Sequence, residues 1–537
     1  LSDTPEADYV IVGGGTAGCV LAQRLSADPA CRVVVLEAGP EDRSPWIAIP
    51  AGVAKLFAHP RLIWPYTTEP EPQLAGRSLY WPRGKVLGGT SSINGMTYVR
   101  GQHEDYDAWA ELLGPQWSFD ALLPYFRRLE DHPLGPSHWH GRGGPVAIGV
   151  VSYRHPLSEA FHAAMVAAGV PANDDWNGRT QEGVAFNQVM MRAGRRVSAA
   201  SAYLASARKR ANLQVITRAV ARRIVFENRR ATAVVYDHAG APRTIRATRE
   251  ILLCAGTVAS PQLLLLSGVG DAAALRALGI DVVLDRAAVG RNLQEHVRTQ
   301  VVVRTRVRTL NQESRGLPLL AHALRYAVAR RGLLTSTASQ VNAFVRSGDD
   351  VARPDLQILF RPASGDYRGR RFVGHPFPGV MAMAGLLRPR SRGHLSLRSP
   401  DPHALPRIVA GHLRDREDTA RLVRGIRLLR RIFALAPLAT HVEAEIQPGA
   451  DARDDDALHE YVRGNANSQF HAVGTCAMGR DDDAVTTPEL RVRGVDGLRV
   501  VDASAMPLVP SGNTCAPVLM LAEKAADLIA VRTAASA

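Results

Sequence analysis

The chain has 537 residues, too many for one hydrophobic core, so two domains are expected. Hydrophobic residues make up 46% of it, enough for globular packing, and no low-complexity tract or solenoid repeat interrupts them. The formal charge is +14, yet lysine stands only at 55, 85, 209 and 524, and the arginines are spread out without interleaved aromatics. That pattern argues against a nucleic-acid partner and leaves room for peripheral contact with an anionic membrane.

The first predicted elements are the most informative. A strand-like run ends in Gly13-x-Gly15-x-x-Gly18, a helix follows, and a second strand-like run closes on Glu37. Such a βαβ unit binds a dinucleotide. Gly13 permits the tight turn, Gly15 lets a pyrophosphate approach the backbone, and Gly18 lets helix and strand pack closely. The helix N-terminus offers free N–H groups and the positive end of its dipole to phosphates. Glu37 suits the two hydroxyls of a ribose. Residues 41–80 are rich in proline and read as a lid-like loop. Residues 83–97 are dense in small side chains, so backbone there can approach something flat or phosphorylated.

Runs at 213–217, 220–226, 231–236 and 250–255 are of strand length and rich in branched residues, returning the chain to its first domain. Residues 298–465 mix alternating strands, among them 393–398, with a helix over 415–433, and read as an antiparallel-sheet domain. Near the end, 498–502 reads as a short buried strand, and Pro517 opens a helix. The charge-free run 251–270 contains Pro261, Gln262 and three glycines, so it reads as strand, turn and short helix rather than as a membrane span. The first residues do not read as a signal peptide. The cysteines at 19, 31, 254, 476 and 515 are odd in number and form neither a disulfide framework nor a metal-ligand cluster. A reducing, cytoplasmic setting without a metal site is expected, with membrane association as the alternative location.

Taken in order, Gly13 to Gly18 with Glu37, Gly84 to Asn94, Gly256 to Gly270, Val289 to His296, His471 to Gly479, and Val501 to Pro507 followed by Ser511 to Pro517 resemble the glucose–methanol–choline (GMC) flavoprotein oxidoreductases. Similarity is greatest to the bacterial choline-dehydrogenase-like and the aryl-alcohol or hydroxymethylfurfural oxidase-like members. The resemblance implies an α/β fold: a Rossmann-like FAD-binding domain with an antiparallel-sheet substrate domain. On that reading the FAD domain takes 1–150, 206–297 and 466–537, and the substrate domain takes 151–205 and 298–465. It implies cofactor contacts from Gly13, Gly15, Thr16, Ala17, Gly18, Glu37, Ala38, Arg83, Leu87, Gly89, Asn94, Gly95, Met96, Thr97, Val220, Ala255, Asp502, Ala503 and Thr514. Some members attach FAD through a histidine just before the asparagine matching Asn94; Ile93 stands there, so dissociable FAD is expected.

Oxidising an alcohol with a flavin needs a base for the hydroxyl proton, a C–H bond held against flavin N5, and positive field near the flavin pyrimidine edge. The resemblance implies that His471 is the base, and a neutral imidazole can accept a proton at working pH. Position 515, where asparagine or histidine is expected as its partner, holds Cys515, a weak donor and acceptor. Three readings stay open there: a poorer hydrogen-bond partner helped by Asn513 or water, a lining of a more apolar pocket that leaves His471 to act almost alone, or a redox partner of Cys476. His296 reads as structural or near the flavin. The implied activity is oxidation of a primary alcohol (aryl, furanic or alkyl) to an aldehyde, with O₂, a quinone or a dye as acceptor. The competing readings are a hydroxynitrile lyase or photoactivated decarboxylase that keeps FAD, and a flavin-binding partner protein. Oligomeric state is not readable.

Overall fold

The computed structural model describes residues 4–535. Its first part runs β1 (Glu6–Val12), α1 (Thr16–Leu25) and β2 (Val33–Glu37). Then come β3 (Gly183–Phe186), β4 (Leu213–Thr217), β5 (Val220–Glu227), β6 (Arg230–His238), β7 (Ala241–Leu253) and α2 (Gly256–Leu266). The second half adds β8 (Val297–Thr305), β9 (Val341–Val345), β10 (Leu356–Arg361), β11 (Gly379–Leu386), α3 (Arg416–Phe433) and β12 (Val442–Gln447). It ends with β13 (Asn467–Ser468), β14 (Leu498–Val500) and α4 (Cys515–Ala535).

Two seven-stranded sheets carry the molecule. The first is ordered β4–β2–β1–β7–β6–β5, with β14 also paired to β7. Pairs among β4, β2, β1, β7 and β14 are parallel, while β5, β6 and β7 form an antiparallel ribbon. β2 is buried at every position, which is why it reads as a continuous apolar run rather than an alternation. The parallel strands all end at one edge, where ligands bind in open α/β sheets. Gly13, Ala255 and Asp502 lie just past these strand ends, and Glu37 is the last residue of β2.

The second sheet, ordered β12–β8–β11–β10–β9–β3 with β13 also paired to β8, is antiparallel throughout. Its period of two separates two faces. Val301, Val303, Ala382, Ala384, Ile358 and Phe360 pack under α3, whose Leu422, Ile426, Leu429 and Phe433 belong to the same core. A Cβ on Gly425 would lie 2.8 Å from that of Ala384, so the glycine lets helix and sheet close up. The opposite face presents Arg298 opposite Gly385, Gln300 and Leu359 opposite Met383, and Arg361 opposite Met381.

Three expected elements come out differently. Within 393–398 only His394–Ser396 is strand; it pairs with Arg407–Val409 as a separate ribbon outside both sheets. The proline-rich 41–80 segment is ordered. Helical turns start at Pro45 and at Pro50, where a missing N–H leaves no helical bond unmade, and Ile63–Thr67 pairs with Tyr80–Gly84. The last helix starts at Cys515, so Pro517 sits inside its first turn. Among the described residues no helix is long and apolar enough to cross a membrane.

Candidate functional site

A cavity of about 350 Å³ lies along the strand-end edge of the first sheet and extends to the open face of the second. At one end it meets the start of α1. Gly13 has φ +106°, and a Cβ there would lie 2.5 Å from the Cys254 carbonyl. Gly15 caps α1 without a side-chain bond, and the first turn holds no acid, so its N–H groups are left for an anion. Gly89 closes over it: a Cβ there would come 2.7 Å from Gly15 Cα. Glu37 lies beside the turn, accepting from Gly14 N at 2.9 Å and Gly39 N at 2.7 Å, and burial pushes its carboxyl up to about 7. Asp502 is fixed by Gly256 N at 2.8 Å and Ser260 Oγ at 2.6 Å, and caps the turn that carries Ser504.

Of the sequence-derived cofactor contacts, Gly13, Gly15, Thr16, Ala17, Glu37, Ala38, Arg83, Gly89, Asn94, Gly95, Met96, Thr97, Val220, Ala255, Asp502, Ala503 and Thr514 line this cavity. Gly18 and Leu87 do not. A Cβ on Gly18 would lie 1.9 Å from Gly13 O, so that glycine serves helix–strand packing. Leu87 is fully buried, and its N–H and carbonyl are taken by Pro40 and Ser92. An uncapped helix start within a glycine cradle, an acid beside it, and a slot of small residues at 94–97 together fit a dinucleotide such as FAD.

At the far end stands His471, buried at 8% exposure. Asn513 Nδ2 lies 3.0 Å from its Nε2, and His296 Nδ1 lies 3.0 Å from its Nδ1. Gln357 Nε2 donates to Asn513 Oδ1 at 3.1 Å, which turns the Asn513 amide nitrogen toward the imidazole. One assignment satisfies the chain: Asn513 donates to Nε2, and His471 Nδ1–H donates to His296. Nε2 therefore presents a lone pair. Burial first, then the neighbouring His296 and Arg83 charges, hold the His471 pKa well below the usual imidazole value. His296 is pushed down to about 4, mainly by burial.

The backbone around His471 is built to hold it. β13 ties Asn467 and Ser468 to β8. Phe470 then takes a left-handed φ of 67°, with its N–H held by Ser468 Oγ at 2.8 Å. Glu295 Oε1 accepts the His471 N–H at 2.8 Å, and its Oε2 accepts from Ser468 Oγ at 3.1 Å. Burial raises the Glu295 carboxyl to about 7 against the opposing pull of Arg83, whose Nη2 lies 3.8 Å away.

The side chain beside His471 Nε2 is thus that of Asn513, where Cys515 was expected. Asn513 precedes α4 and hangs toward the imidazole, whereas Cys515 is the helix's first residue and turns toward Thr16 and Asn94. Burial pushes its thiol up to about 12, opposed by those two side chains and by the Arg196 charge, so it stays protonated. Arg196 in turn donates to Asn94 O at 2.7 Å and to Asn94 Oδ1 at 2.8 Å. Cys476 is fully buried in the core, and all five cysteines are free thiols. Sequence reasoning missed Gln357, Arg298 and Arg361, which sit in strands without a motif. His296 carried a signal, since it closes the block that begins at Val289.

Models of the GMC oxidoreductase family match residues 7–298 and 389–522. The chain is 42% identical to an alcohol dehydrogenase [acceptor] of Pseudomonas putida over 97% of its own length and 95% of the relative's. It is also 42% identical to an oxygen-dependent choline dehydrogenase of Sinorhizobium medicae, over 98% and 95%. The crystal structure of pyridoxine 4-oxidase from Mesorbium loti superposes with a TM-score of 0.88 at 33% identity, covering 97% of this chain and 98% of that one. The family implies FAD, for which the cradle described above is suited, and the chain belongs to the glucose–methanol–choline oxidoreductases that act on CH–OH groups.

Proposed function

We propose that this protein oxidises a primary alcohol (aryl, furanic or alkyl) to its aldehyde with non-covalently bound FAD, and that His471 is the base. The carrying observation is the pair of His471 Nε2 and Asn513 Nδ2, 3.0 Å apart on the cavity wall. A hydroxyl that takes the amide's place at Nε2 would donate its proton there and accept from the freed Asn513 N–H, the geometry a general base needs. FAD, when bound, supplies the acceptor for the hydrogen that leaves the carbon with its electron pair. His296 takes up the Nδ1–H of the base and fixes its tautomer. Gln357 fixes the amide. The start of α4, with no acid in its first turn, brings positive field to the same end of the cavity.

The test is an anaerobic panel of alcohols followed at the flavin absorption band, with air or a quinone dye readmitted to identify the acceptor. Bleaching by primary alcohols is the expected result. A yellow protein that no alcohol bleaches, yet that releases cyanide from a cyanohydrin, would transfer the chain to the lyases. Non-covalent attachment is checked separately. Ile93 has no nucleophilic atom, so acid precipitation should release all yellow colour into the supernatant; flavin retained in the pellet would show another anchor.

A further inference from the structure

The open face of the second sheet brings Arg298 and Arg361 to the wall of the cavity that holds His471 and Asn513. Neither has an acid for a partner. Arg298 Nη1 donates to Gln300 Oε1 at 3.1 Å, and Arg361 Nε donates to the Ala338 carbonyl at 2.5 Å while its guanidinium lies 5.1 Å from the Phe372 ring. Asp366, near in sequence, is engaged by His375 at 2.9 Å and by Gln447 at 3.2 Å. Among the described residues no carboxylate lies within ion-pair distance of either guanidinium; the titratable neighbours of Arg298 are the Tyr367 hydroxyl, which also faces Arg361, then Arg361 itself and Tyr461. Burial lowers both groups, Arg298 to about 10.

Two like charges drawn into one largely apolar cavity are costly unless a third, opposite charge joins them. The wall between them is Met383 and Leu359. Close by, Gln469 is more than nine-tenths buried, lies against Gly385, and has both amide atoms unpartnered. The arrangement lacks one component: a flat or slender apolar body ending in a planar anion that two guanidinium forks and an amide can bind.

The geometry points to an alcohol that carries a carboxylate at the end remote from its hydroxymethyl carbon, with Arg298 and Arg361 as the residues that select it. This rests on the alcohol-oxidation reading above and narrows its substrate class. A quaternary ammonium alcohol would meet these arginines with the wrong sign, so a choline-like substrate is disfavoured here. The acid group is bound, not transformed, and the oxidation itself is unchanged.

Three alcohols of matched shape test the inference on the holoenzyme: 4-(hydroxymethyl)benzoate, 4-methylbenzyl alcohol and a 4-trimethylammonio-benzyl alcohol. The benzoate should show at least ~10-fold higher kcat/KM than the neutral compound, and the cation the lowest. Arg298→Gln or Arg361→Gln should raise KM for the benzoate ~10- to 100-fold more than KM for the neutral alcohol, and Lys variants should recover part of the loss. Equal rates for neutral and anionic alcohols, or equal losses for both in the Gln variants, would overturn the inference. Equilibrium dialysis of 4-methylbenzoate, which has no hydroxyl to oxidise, separates the two readings. Binding weakened in the Gln variants supports the anion site even if no alcohol bleaches the flavin, and unaltered binding overturns it. Added acetate should compete with the benzoate. If acetate instead accelerates the neutral alcohol to the benzoate's rate, the pair serves a free anion and the substrate assignment falls.

Discussion

His471→Ala should lower the anaerobic rate of flavin reduction by alcohol on the order of 10²-fold or more, while the protein still folds and stays yellow. The expectation follows from the absence of a substitute at that place. His296 is on the far side of the imidazole, 3.0 Å from Nδ1, and cannot reach a hydroxyl held at Nε2. Glu295 faces the backbone N–H of residue 471 and the Ser468 hydroxyl, so its oxygens are already engaged. The pH profile gives a second readout. The base works only when neutral, and burial with the His296 and Arg83 charges depresses its pKa in the folded protein. Activity is therefore present above that depressed value and lost as pH falls through it, placing the acid limb below the ordinary imidazole value of about 6.5. A limb near 7 would instead report Glu295, whose carboxyl titrates at about 7 in this structure. A loss of less than tenfold in His471→Ala would remove the imidazole from the role of base.

What the sequence makes legible is what depends on backbone. Gly13 betrays the cradle because its positive φ and the Cys254 carbonyl beside it leave no room for a side chain, and the runs at 213–217, 220–226 and 231–236 appear as strands within two residues of their bounds, whereas the strand read at 250–255 starts nine residues earlier, at Ala241. The place of His471 on the cavity wall is legible because its motif is long. Its partner is read as Cys515, with Asn513 only helping; the chain enters α4 at Cys515, so that side chain turns toward Thr16 and Asn94 while Asn513, still ahead of the helix, reaches the imidazole. Arg298, Gln357 and Arg361 are illegible for a different reason. Each sits in an ordinary alternating strand, and only the register of β8, β10 and β11 puts them on one face. Leu87 lies off the cavity because a position inside a glycine-rich stretch need not face the ligand; its side chain fills core instead.

Glu130→Gln should destabilise the protein by ~3–5 kcal/mol, the usual cost of leaving a buried charge without its partner. Glu130 is fully buried and anchors the segment that follows the 94–97 slot. Arg100 Nη2 lies 2.5 Å from its Oε1, the Tyr98 hydroxyl donates to the same oxygen, and His140 Nδ1 lies 3.2 Å from Oε2. Burial alone would raise the Glu130 carboxyl, but the Arg100 charge and the bonds from His140, Arg100 and Tyr98 hold it at about 2. The depressed value means that its stabilisation is complete above about pH 4.5 and is lost as pH falls toward 2. His140 has the opposite sign. Although burial lowers its pKa, bonds to Asp175 and Glu130 raise it overall, so its contribution is present below about 6.5 and declines as pH rises through the folded value. Glutamine keeps the shape and one acceptor but leaves the fully buried Arg100 guanidinium without a counter-charge, its remaining acceptors being the Asn177 and Trp139 carbonyls at 3.1 and 2.8 Å, with Phe126 packed at 5.2 Å. Tyr98→Phe removes one neutral donor from the same carboxylate and should cost only about 1 kcal/mol. Urea unfolding of the three proteins at pH 7, read by flavin release and by far-ultraviolet circular dichroism, compares them directly. Equal midpoints for Glu130→Gln and Tyr98→Phe would mean that the Arg100–Glu130 pair is not the buried ion pair that fixes the slot wall.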